Sequence, residues 1–111
     1  MGVIEISIRT IRSLRSSLKE YRRRIKKEIS NLEKKRKELQ KQISRIRSQM
    51  ERPEGKRNLH RLASKLAQAK DNHQAILGTI MLLDSLLKRM ERLDEVCDTL
   101  EVRLLYMKKR R

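Results

Sequence analysis

Arg52-Pro53-Glu54-Gly55 decides the fold, because it holds the only proline and one of the three glycines in 111 residues. Proline lacks an amide donor and pushes the residue before it out of helical geometry, while glycine enters left-handed conformations at little cost. The tetrapeptide therefore stops one helix and permits another. It falls near the midpoint of the chain, with an apolar pattern on each side, and two helices of matched length joined by a short turn fold back on each other. The expectation is an all-α fold: a long antiparallel two-helix hairpin, coiled-coil-like, forming a single domain over residues 1–111. Helix one runs over about 4–51, the turn over 52–55 with Pro53 and Gly55 as its turn residues, and helix two over about 57–107.

On the N-terminal side, apolar residues follow an alternating four-three spacing: Ile4, Ile8, Ile11, 15, Leu18, 22, Ile25, Ile29, Leu32, 36, Leu39, Ile43, Ile46, Met50. Such a heptad seam predicts left-handed coiled-coil packing. The exceptions are Arg15, Arg22 and Arg36. Leu14 and Tyr21 sit one residue before the first two, so the stripe is expected to continue through them while the arginine stems lie along its edge. Ahead of the seam, Val3, Ile4, Ile6 and Ile8 with the single charge of Glu5 read as a frayed helix start or as an apolar tip that docks or inserts.

On the C-terminal side, Leu59, Leu62, Leu66 and Ala69 share one face, with Ala63 and Ala67 beside them. From Ile76 to Leu87 the apolar surface is wider than one seam. Ile76, Leu77, Ile80, Met81, Leu83 and Leu87 are the candidate self-association residues, because broad apolar faces mark interfaces. The stripe then resumes as Met90, Leu93, Val96 or Cys97, Leu100, Leu104 and Met107, shifted by one residue. That shift predicts a small helical break, a kink or a change of partner, near 90–93. Lys108-Lys109-Arg110-Arg111 reads as a basic tail or as a helix interrupted before its natural end.

Charge dominates the composition. Thirty Lys/Arg against fourteen Asp/Glu give a formal net charge of +16. A chain so basic repels itself and calls for a polyanionic partner. Residues 9–47 hold sixteen Lys/Arg and four Glu, whereas residues 71–101 hold seven acids and three bases. The first arm is basic and the second partly acidic, an asymmetry that serves pairing between arms or between copies. Between Leu18 and Leu39, ten bases face four acids. Pairs such as Glu20–Arg24 and Glu33–Lys37 support the helix but leave most of these bases over. Lys19, Arg22, Arg23, Arg24, Lys26, Lys27, Lys34 and Lys35 are accordingly the candidate anionic-surface residues, making phosphate contacts that weaken with salt.

Other functions are disfavoured. Phe and Trp are absent and Tyr21 and Tyr106 are the only aromatics, so the bulky side chains of most ligand pockets are missing and no small-molecule enzyme is expected. His60 and His73 stand about 20 Å apart along one helix and share no metal, at 1.5 Å per residue. No glycine-rich phosphate loop, paired-cysteine motif or Ser-His-Asp arrangement is present, and no cofactor is expected. Cys97 is the only cysteine and reads as a small packing residue. The N-terminus lacks the basic start and long apolar run of a signal peptide, and the cluster around Ile80-Met81-Leu82-Leu83 is too short to span a bilayer. The chain is expected in the cytoplasm, with any membrane contact peripheral.

The strongly basic first arm, the short turn, the opening Leu62-Ala63-Ser64-Lys65-Leu66-Ala67 and the run Ile76-Leu77-Gly78-Thr79-Ile80-Met81-Leu82-Leu83 together resemble the hairpin core of the ESCRT-III membrane-remodelling family, including its archaeal cell-division relatives. The resemblance covers most of residues 8–105 and carries no diagnostic motif. It implies a cytosolic subunit that binds acidic membrane, polymerises into filaments and is disassembled by an ATPase supplied in trans. It places Lys19, Arg22, Arg23, Arg24, Lys26 and Lys27 against lipid headgroups. Val3, Ile4 and Ile6 fall where some members have a membrane-inserting N-terminus. The further acidic helices that family members carry after the hairpin are not in this sequence. The expected partners are anionic membrane and further copies of the chain. The alternatives are a coiled-coil nucleic-acid binder and an adaptor pairing with an acidic protein.

Overall fold

The computed structural model describes residues 2–110. Two α-helices, α1 (Val3–Glu51) and α2 (Leu59–Arg110), flank a short 3-10 helix at Pro53–Asn58. This is the all-α helical hairpin that the midpoint turn predicts. Both long helices are rich in Leu, Lys, Arg and Glu, which lose little freedom on becoming helical. Among the described residues there is no strand.

The turn departs from the sequence reading in its detail. Arg52 is extended, with φ −74° and ψ 147°, as the residue before a proline should be, and Pro53 takes the first position of the 3-10 helix. Gly55, however, has no positive φ. Its role is close approach: Gly55 is buried, and a Cβ built there would run into the carbonyl of Gln49. The Gly55 amide donates to the Arg52 carbonyl at 3.0 Å. This 3-10 segment continues to Asn58, so α2 begins at Leu59 and not at 57.

Packing divides the chain into two units. The first takes the ends, Met1–Lys27 and Asp84–Arg111, and the second the middle, Glu28–Leu83. In the second unit the core is Ile46, Leu62 and Ala69, with Ile43, Met50 and Leu66 packed against it. In the first, Ile8, Leu18, Leu87 and Cys97 are buried. Each fully buried Leu or Ile contributes about 1.5–3 kcal/mol.

Every position of the four-three series on α1 from Ile4 to Met50 is buried or half-buried, including Arg15, Arg22 and Arg36. The arginines therefore occupy the seam itself, while Leu14 and Tyr21 are exposed. On α2 the series runs unbroken as Leu62, Leu66, Ala69, His73, Ile76, Ile80, Leu83, Leu87, Met90, Asp94, Cys97, Glu101 and Leu104. There is no shift and no break at 90–93: α2 is one helix throughout, and Leu93, Val96, Leu100 and Met107 point outward. For Arg15 and Arg22 the physical reason is the same on both helices, since the seam acids Asp94 and Glu101 of α2 meet them.

Candidate polyanion-binding surface

The first unit contains that meeting. Arg15 Nη1 donates to Glu101 at 2.7 Å and to Asp98 at 3.0 Å, and Arg15 Nε donates to Asp94 at 3.2 Å. Arg12 Nε reaches the other Glu101 oxygen at 2.7 Å, and Arg22 lies 3.6 Å from Asp94. As the α1 number rises the α2 number falls, so the pairing is antiparallel. Hydrogen bonds from Arg12 and then Arg15 hold the Glu101 carboxyl below its usual range. Those to Asp94 and Glu101 hold Arg15 even more firmly protonated than usual.

This network removes cations from the surface. Arg22 was expected to face an anionic partner, but its Nε is buried and has no hydrogen-bond partner, and its head is turned toward Asp94. Arg23 and Arg24 are exposed but share Glu20, whose carboxyl their hydrogen bonds hold low, Arg23 having the larger effect. Lys19, Lys26 and Lys27 are exposed and make no ion pair among the described residues. Beside them runs an open groove of about 940 Å³ lined by Arg15, Ser16, Lys19, Glu20, Arg22, Arg23, Lys26 and Asp94. It is the wall of the network, with five bases to two carboxylates.

In the second unit Lys34 and Lys35 are also exposed and unpaired among the described residues. This unit carries thirteen Lys/Arg and six Asp/Glu, and Arg36, held by Glu33 at 2.9 Å, is its one ion-paired base among the described residues. Exposed bases extend around the turn as Arg45, Arg47, Lys56, Arg57 and Arg61. They lie outside the 18–39 stretch where the candidate anionic-surface residues cluster. The signal was present in the low acid content of 41–70, where only Glu51 and Glu54 stand among nine bases.

The apolar candidates divide likewise. Ile76, Ile80, Leu83 and Leu87 are seam residues, taken up by the pairing of α1 with α2, whereas Leu77 and Met81 are exposed. At the N-terminus Ile4 joins the seam and Val3 and Ile6 stay exposed. His60 is exposed, and His73 occupies a seam position with its Nε2 buried and unpartnered. Cys97 is buried as a packing residue. Among the described residues no helix is long and apolar enough to cross a membrane. Comparison with protein-family models, curated proteins and solved structures finds no match for this chain.

Proposed function

We propose that the protein is a non-catalytic membrane-remodelling scaffold that binds an anionic membrane through the free bases of α1 and acts as an array of copies. The observation that carries this reading is the division of labour among the cations. Arg12, Arg15 and Arg22 are engaged by α2, while Lys19, Lys26, Lys27, Lys34 and Lys35 remain exposed without acidic partners among the described residues. Each such base near an anionic bilayer contributes about 1 kcal/mol. One copy binds weakly; an array multiplies these contacts into strong attachment. The resemblance to the ESCRT-III core supports the same reading, and with it a cytoplasmic, peripheral location and an ATPase that takes the array apart. Nucleic acid is the weaker partner, because Tyr21 and Tyr106 are the only aromatics available for base stacking.

The test is co-sedimentation with anionic vesicles, neutral vesicles and duplex DNA at matched salt. Lys26, Lys27, Lys34 and Lys35→Glu should abolish pelleting with anionic vesicles and keep the helical circular dichroism signal. Arg22 is left intact because changing it would disturb the seam. Unchanged pelleting of the variant, or binding of DNA in preference to anionic vesicles, overturns the proposal.

A further inference from the structure

The seam of the first unit has two unlike sides. Arg12 follows the seam residue Ile11 and Asp98 follows Cys97; with Glu101 they mark the charged side. On the opposite side lie the residues that precede seam positions: Leu14 and Tyr21 on α1, and Leu86, Leu93, Val96 and Leu100 on α2. All six are exposed, from 40% for Leu86 to 63% for Val96. The α1 residues on this side from Val3 to Tyr21 are Val3, Ser7, Thr10, Leu14, Ser17 and Tyr21, without a charge. On α2 its charges from Leu86 to Leu104 are Arg89 and Arg103, and Arg24 and Arg110 stand at its ends.

We infer that this side of the first unit is a self-association surface whose occupant is the same side of a second copy. Two features favour a second copy. With Met107, the exposed apolar side chains offer on the order of 700 Å², close to the ~800 Å² per partner that a specific dimer buries. The unit holds seventeen Lys/Arg against eight Asp/Glu, so two copies repel wherever bases face bases, and this nearly uncharged side is where they meet with least repulsion. Four helices then enclose a second apolar layer beside the seams, which one hairpin cannot bury by itself. Of the Ile76–Leu87 run the surface takes only Leu86; Ile76, Ile80, Leu83 and Leu87 are spent within the hairpin. The inference rests on the scaffold reading for its use, since it names the contact between copies.

Sedimentation equilibrium without lipid tests it. The wild type should self-associate to a dimer or higher even-numbered species, and more tightly as sodium chloride rises, because screening relieves repulsion while apolar burial persists. Leu86, Leu93 and Leu100→Ser should weaken association ~100-fold or more, since central apolar residues carry most of an interface's affinity. Lys88→Ser with Glu95→Gln, on the charged side, should leave it unchanged. Helicity of each variant is followed by circular dichroism, and Val96→Asp, at a still more exposed position, is a second disrupting variant. A wild type monomeric at 100 µM, or self-association that the leucine and Val96 variants leave intact, overturns the inference. Vesicle binding weakens with salt while self-association strengthens, so failure of one reading is distinguishable from failure of the other.

Discussion

Two glycines show how the same residue type does opposite things. Gly55 lies where the turn crosses the end of α1, and an added methyl group would meet the Gln49 carbonyl and the Met50 backbone. Gly55→Ala should destabilise the protein by about 1–3 kcal/mol, the range for forcing extra volume into a packed site. Gly78 sits inside α2 with nothing within 4 Å of its built Cβ. There alanine only removes backbone freedom from the unfolded chain, so Gly78→Ala should stabilise by about 0.5–1 kcal/mol. Urea unfolding of both variants checks the pair of signs; a stabilising Gly55→Ala would refute the close-approach account. The sequence marked Gly55 correctly as a turn residue and gave the wrong reason. Left-handed geometry and a close backbone approach both select glycine, and only coordinates separate them.

At the scale of the helix, the charged seam positions are not equivalent. Arg15 serves Asp94, Asp98 and Glu101 at once, so Arg15→Leu strands Asp98, leaves Glu101 to Arg12 and Asp94 to Arg22, and should lower the melting temperature. Among the described residues Arg36 has only Glu33, on its own helix, and it holds a half-buried seam position in the second unit. Arg36→Leu should raise stability by about 1 kcal/mol, because replacing a weakly paired seam charge with a well-packed aliphatic is often favourable. Equal effects of the two substitutions would contradict this division.

Acid probes the same network. The folded pKa of Glu101 lies below its unfolded value of roughly 4.3. Its contribution is therefore fully present above that value and is lost as pH falls through the folded pKa. Arg15 is shifted upward and stays charged across the accessible range, so it adds no window of its own. The melting temperature should drop below about pH 4, and Glu101→Gln should flatten that drop; an unchanged profile in the variant would exclude Glu101 as the titrating group.

For the molecule as a whole, the +16 charge makes binding of any polyanion a steep function of salt. The bases around the turn belong to that charge and carry no ion pairs among the described residues. Lys56, Arg57 and Arg61→Glu should weaken binding to anionic vesicles on the order of 100-fold or more, at ~1 kcal/mol per base. Vesicle titration at 50 and 300 mM sodium chloride would show both effects. Retained affinity in the triple variant would confine the binding surface to α1.

The sequence by itself determined the two helices, the place of the turn and the α1 seam, because helical periodicity and proline chemistry are local. Only the tertiary structure decided which charges are spent. Arg15 and Arg22 looked like interruptions of one stripe, and the apparent slip at 90–93 looked like a break in the other. They are one fact, an arginine–carboxylate seam between α1 and α2. Neither helix alone reveals it, because the carboxylates that hold Arg15 and Arg22 in the seam arrive from the opposite helix of the hairpin. Placing Asp94 and Glu101 inward turned Leu93, Val96 and Leu100 outward, which moved the exposed apolar surface to a side that the pattern of α2 alone had assigned to the core.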